Sequence, residues 1–210
     1  MQPPKTAPKA SLRRDVVDGF EATPVGQTAP EARTSEVAPA TIRVTTEQAA
    51  PGGSRSLRFA DADGLEHEWQ PHLYYTVNWR KGRAAIAFDV FLEPGARLCH
   101  EWRHYSTNYV AGPEIRFRED GTLTSRDRVL MSYPTRTWIH VTMNCPLGDL
   151  ATTDGFELTV TVPGQPAQGF EHLPLVSPAW RHLTWIGFIS EARHQSIFYV
   201  DNLDARQERP

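Results

Sequence analysis

The sequence predicts an all-β fold, a two-sheet antiparallel β-sandwich. Three observations predict it. Short apolar runs recur with a period of two, clusters of turn residues separate them, and no stretch keeps a helical period beyond a turn or two. The 210 residues are 40% hydrophobic and 22% charged, as in an ordinary globular domain. A chain of this size buries roughly 70% of its unfolded surface, so its core requires neither a disulfide nor a metal.

Residues 1–14 are rich in Pro, Lys and Ala, lack a hydrophobic stretch, and read as a linker or disordered N-terminus. Residues 15–206 read as one sandwich domain opening on Asp15-Val16-Val17-Asp18-Gly19-Phe20-Glu21. From Ala22 to Ala40 the chain is rich in Pro, Ala, Thr and Glu and is expected to be a long surface loop. Thr41 to Thr46 is the next strand-like run, and Ser56 to Ala60 follows the turn Pro51-Gly52-Gly53-Ser54. Arg83 to Glu93 is the longest, with Ile86, Phe88, Val90 and Leu92 on one face. Glu114 to Arg118 leads into Glu119-Asp120-Gly121, a hairpin signal. Thr137 to Cys145 puts Ile139, Val141 and Met143 together, and Phe156 to Val162 stops at Pro163-Gly164. Leu183 to Ser190 and Ser196 to Leu203 complete the set.

Charge and composition exclude several classes. The formal net charge is −3, without the basic excess of a nucleic-acid binder. No apolar run approaches the ~20 residues of a membrane helix. The basic residues are nearly all arginine, with Lys only at positions 5, 9 and 81, and arginine can clamp carboxylates or sulfates bidentately. Cys99 and Cys145 each end a strand-like run, which leaves open a bridge between neighbouring strands or two buried thiols.

The most informative composition is local. Trp69, His72, Tyr74, Tyr75 and Trp79 crowd into one segment, and His100, Glu101, Trp102, Arg103, His104, Tyr105, Asn108 and Tyr109 into another. Sugar rings present flat C–H faces that stack on aromatic rings, while Asn, His, Arg and Glu meet their hydroxyls. The candidate ligand contacts are therefore Trp69, His72, Tyr75, Trp79, His100, Glu101, Trp102, Arg103, Tyr105 and Asn108. Strand alternation qualifies the set. Tyr74 and Tyr75 point to opposite faces, and Glu101 and Arg103 share the face of Cys99, so a buried Cys99 would require the two charges to pair.

Three segments carry a resemblance: Asp18-Gly19-Phe20-Glu21, Pro51-Gly52-Gly53-Ser54-Arg55-Ser56-Leu57-Arg58-Phe59 and Phe198-Tyr199-Val200-Asp201-Asn202-Leu203. In this order and spacing the chain resembles jelly-roll carbohydrate-binding modules and concanavalin A-like lectin and glucanase domains, found in secreted polysaccharide-processing proteins of bacteria. The resemblance implies that the first and last strands lie side by side. It also implies a structural calcium held by Glu21, Ser54 and Asp201, a polysaccharide or oligosaccharide partner, other domains of a larger carbohydrate-active protein, and a secreted, periplasmic or cell-surface setting.

The fold alone does not decide between binding and catalysis. Retaining glycosidases need two carboxyls about 5–5.5 Å apart. Glu66-His67-Glu68 puts two glutamates on one face, but its context matches no catalytic strand. A jelly-roll lyase would need a His or Tyr base and an Arg to neutralise a uronate, which would fall to His100, Arg103 and Tyr105. The first expectation is a non-catalytic carbohydrate-binding module. The alternatives are a polysaccharide lyase or hydrolase, and a structural or adhesive domain.

Overall fold

A computed structural model describes residues 15–105 and 109–208. They form strands β1 (Val16–Asp18), β2 (Arg33–Ser35), β3 (Thr41–Thr45), β4 (Ser56–Asp61), β5 (His72–Trp79), β6 (Arg83–Leu92), β7 (Leu98–Tyr105), β8 (Tyr109–Phe117), β9 (Thr122–Ser125), β10 (Arg128–Ser132) and β11 (Trp138–Pro146). A single turn of helix, α1 (Leu150–Asp154), precedes β12 (Phe156–Thr161), β13 (Gln168–Leu173), β14 (Leu183–Ser190) and β15 (Ser196–Glu208). Among the described residues no helix is long and apolar enough to cross a membrane.

Two antiparallel sheets result. One runs β13-β12-β11-β6-β15-β4-β3, with β1 added beside β15, and the other runs β10-β9-β8-β7-β14-β5-β2. The first and last strands do pair, with Val16 opposite Ala205 and Asp18 opposite Leu203. Beside β15, β4 ends at the pair Leu57–Val200 and β1 takes over at Asp18–Leu203, so a bulge at Asp201–Asp204 marks the handover.

The core is the alternating set from each sheet. Ile86, Phe88 and Val90 of β6 join Ile139, Val141 and Met143 of β11 on one side. Leu73, Tyr75, Val77 and Trp79 of β5, Leu98 and Trp102 of β7, and Ile186 and Phe188 of β14 meet them from the other. Phe88 crosses the interface to Phe188, ring centroids 5.0 Å apart, and to His100 at 4.7 Å. A period of two leaves no freedom here: once Leu73 and Val77 face inward, Tyr75 and Trp79 follow.

This packing corrects part of the expected ligand surface. Tyr75, Trp79, His100 and Trp102 are buried between the sheets and can touch no external ligand. Their aromatic area is core area. The alternative of a disulfide also falls away. Cys145 sits in the main core, Cys99 lies in a separate apolar cluster with Trp185 and Ile189, and both thiols are free. The polar edge strand β13, the short β10 and α1 were not foreseen, since β13 carries exposed Gln168, Gly169, Glu171 and His172 rather than an apolar alternation. The expected loop from Ala22 to Ala40 contains one short strand, β2, which pairs with β5.

His100 is an instructive core residue. Its Nε2 accepts a hydrogen bond from Trp102 Nε1 at 2.9 Å, so it serves as a neutral acceptor. Burial pushes its pKa from the ordinary 6.5 down to about 3. The unfolded chain therefore binds a proton below pH 6.5 that the folded chain refuses, and stability drains as pH falls from 6.5 toward about 3. His100→Gln, which keeps an acceptor for Trp102, is expected to flatten that acid-side slope by about one proton. Urea unfolding of both proteins between about pH 7 and pH 4 measures it, and equal slopes would refute the assignment.

Candidate ligand-binding cleft

The outer face of the seven-stranded sheet carries a cleft of about 900 Å³. Strand β5 contributes His72, Tyr74, Thr76 and Asn78, the residues alternate to its core face. Strand β14 contributes Thr184, Trp185 and Ile189, and β7 contributes Arg103 and Tyr105. Tyr109 of β8, together with Trp69 and Arg80 at the two ends of β5, completes the rim.

A glycine makes the floor possible. A Cβ built on Gly187 would overlap the six-membered ring of Trp185, so the indole lies flat against the β14 backbone only because position 187 is bare. Arg103 then lies over the indole with its guanidinium carbon 3.9 Å from the ring centroid, and 4.5 Å from that of Tyr109. On the other side of Trp185 the aromatic run continues. Tyr74 stacks at 5.3 Å, His72 lies 5.8 Å beyond it, and Trp69 meets His72 edge-on at 5.2 Å.

Glu101 holds this array in place from beneath. Its carboxylate accepts Arg103 Nε at 3.0 Å and Nη2 at 3.3 Å, and the Tyr109 hydroxyl at 2.6 Å. Burial works against the charge of Arg103, and Glu101 more than offsets it, so the guanidinium stays firmly cationic. Burial first, and then Glu101, push the Tyr109 hydroxyl well above its ordinary range, so it remains a donor. The pairing expected if Cys99 were buried is thus present. Burial, followed by the nearby charge of Arg103, lowers His72, although its Nδ1 lies 3.1 Å from the Trp69 carbonyl.

Of the residues picked from sequence, Trp69, His72, Arg103 and Tyr105 line the cleft and Glu101 supports it. Tyr75, Trp79, His100 and Trp102 lie in the core, and Asn108 falls outside the described residues. The cleft also includes Tyr74, Asn78, Arg80, Tyr109, Thr184 and Trp185, which were not picked. For Tyr74 the signal was its alternation with Tyr75, and for Trp185 it was the glycine two residues on, because a glycine inside a strand marks a close approach.

Two other clusters bear on metals. Cys99, Glu101 and Glu114 bring ligand atoms within 4.8 Å of one another. They do not fit a metal. Arg116 holds Glu114 by Nε at 3.0 Å and Nη2 at 2.9 Å as Arg103 holds Glu101, so guanidinium groups already supply the positive charge. Burial also pushes the Cys99 thiol up, keeping it protonated. The calcium residues are different. At the handover on β15, Glu21 accepts Ser54 N and Ser54 Oγ, both at 2.6 Å, and Arg55 N at 2.9 Å. Asp201 accepts Ala50 N at 3.0 Å and Asn202 N at 2.7 Å. A Cβ on Gly53 would sit 2.9 Å from Glu21 Oε1 and 3.5 Å from Asp201 Oδ2, so two carboxylates converge where only glycine leaves room. Burial, with Asp89 and Glu21 nearby, pushes Asp201 up to about 6. Arg55, whose Nη1 donates to the Glu21 carbonyl at 2.7 Å, is the cation beside Glu21, and the converging hard oxygens of the two carboxylates fit a calcium ion.

No family model matches this chain, and no curated protein does. Solved structures do share its fold. An alginate lyase, Aly36B, superposes with a TM-score of 0.61 at 10% identity, covering 95% of this chain and 99% of that one. Peanut lectin superposes at 0.55 and 9% identity, covering 94% and 100%. The binding domain of botulinum neurotoxin serotype D reaches 0.53 at 8% identity, covering 85% of this chain and 43% of that one. At the level of the fold the resemblance read from the sequence holds: this chain is a two-sheet antiparallel β-sandwich, a fold it shares with peanut lectin.

Proposed function

We propose that this sandwich is a carbohydrate-binding module that takes a glycan chain along the cleft on its seven-stranded sheet and does not cleave it. One observation carries the reading. Among the described residues, the aromatic side chains that stand out as exposed are Trp69 at 43%, Tyr105 at 51% and Tyr109 at 50%, and all three line this one cleft. Exposed rings above a rigid aromatic floor, with Asn78, Thr76, Thr184 and Arg80 between them, offer stacking faces and hydroxyl partners together. The described lining contains no Asp or Glu, so the carboxyl pair of a glycosidase is not assembled there.

A lyase is the second reading, favoured by the presence of His72, Arg103 and Tyr105 in one cleft. His100 has no part in it, being buried and held neutral. Affinity electrophoresis across a polysaccharide panel is expected to retard the protein. Trp69→Ala and Tyr109→Ala are each expected to weaken binding by about twofold to tenfold, the worth of one stacked ring. Release of unsaturated product, followed by ultraviolet absorbance and lost in Tyr105→Phe, would decide for the lyase. Absence of both binding and product across the panel would leave a structural domain.

We also propose that Glu21, Ser54 and Asp201 hold a structural calcium that ties β1 and the turn before β4 to β15. Added calcium is expected to raise the melting temperature, chelator to lower it, and Asp201→Asn to abolish the difference. A melting temperature indifferent to both would sink the proposal.

A further inference from the structure

We propose that the cleft selects anionic glycans, with Arg80 receiving the carboxylate of a uronic acid residue. The inference rests on the binding reading above and names its ligand class.

The charge of the cleft is one-sided. Arg80 and Arg103 line it, and no carboxylate does among the described residues. The chain as a whole is acidic, at −3, so this positive surface runs against the average of the molecule. The two arginines have different settings. Arg103 is pinned by Glu101, Trp185 and Tyr109, and the Glu101 carboxylate already meets its charge. Arg80 is exposed, and its Nε donates to the neutral Asn78 Oδ1 at 3.0 Å. No ion pair ties it to a carboxylate among the described residues. An exposed guanidinium without an acidic partner can meet a carboxylate in fork geometry.

The neighbouring histidines report the same field. Burial lowers His72, His104 and His182; Arg103 lowers His72 further and Arg80 lowers His104, while His182 is lowered by His104 first and then by Arg80 and Arg181, with Asp149 acting the other way. His104 and His182 stand with ring centroids 4.9 Å apart at the Arg80 end. A glycan lying on Trp69, Tyr105 and Tyr109 would therefore run toward a cationic end, which rewards a sugar carboxylate there and gives a neutral hydroxymethyl group nothing comparable.

Polygalacturonate and its methyl ester separate charge from shape, since the chain is the same and the carboxylates are masked. Affinity electrophoresis and calorimetry with both polymers, at low and at high salt, form the test. The polyuronate is expected to bind about tenfold more tightly than its ester, with the advantage shrinking as salt rises. Arg80→Gln is expected to remove most of that advantage while leaving the melting temperature unchanged, because Arg80 is exposed. Equal affinity for acid and ester, or an acid preference that survives Arg80→Gln, would overturn the inference and leave the carbohydrate-binding reading standing. Failure to bind either of these polymers, or any neutral polysaccharide of the panel, would overturn both.

Discussion

The whole molecule depends on one constraint: each sheet must bury the same alternating set of side chains along every strand. A slip of one residue would turn Phe88, Phe188 and Trp102 to solvent and bring Asp89, Gly187 and Arg103 into the core. Because that is so costly, the inner set is fixed by apolar burial, and the outer set is whatever remains between. On β5 the remainder is His72, Tyr74, Thr76 and Asn78, on β7 it includes Glu101 and Arg103, and on β14 it includes Trp185. The cleft is thus the complement of the core, written on the same strands.

Placing charged groups beside a buried indole needs compensation, and the sheet provides it in matching pairs. Glu101 with Arg103 on β7 and Glu114 with Arg116 on β8 are two-point contacts between residues two apart on the same strand, and Arg116 reaches on to Glu191 at 2.6 Å. Each of these two buried carboxylates has its guanidinium close by, which is the condition under which a charge is tolerated away from water. The pairs also stiffen the surface. Arg103 cannot swing, because its fork is held by Glu101 while its plane is held between Trp185 and Tyr109.

How much of this could be read beforehand follows from the range of each interaction. The period of two was visible in Arg83 to Glu93 and in Thr137 to Cys145, and it led to the sandwich. The Glu101–Arg103 pair was visible from alternation as soon as Cys99 was taken as buried. The errors came from weighing composition above alternation. Trp79 and Trp102 stand among histidines and arginines in the sequence, yet they share a strand face with Val77 and Leu98. Trp185 reaches the cleft through pairing with β5 and β7, across more than eighty residues of sequence in each direction of comparison with Arg103 and Tyr74, and no local pattern records such a pairing. Strand β13 stayed hidden because only Phe170 and Leu173 reach the core from it, three residues apart, which breaks the period of two.

The order of the strands has a consequence for how the chain acquires this shape. Strand β15, the last of the sandwich, lies in the middle of its sheet between β6 and β4, and β14, the next to last, lies in the middle of the other between β7 and β5. During synthesis, therefore, both sheets exist only as separate halves with open inner edges until the final two strands emerge. Closure must bring partners as distant as Val16 and Ala205 together, a large loop-closure cost that places the domain among slow folders. The indole floor rides in on β14, so the half-made domain exposes unpaired strand edges before it has any cleft at all, and the interval before β14 and β15 dock is when misassembly threatens it most.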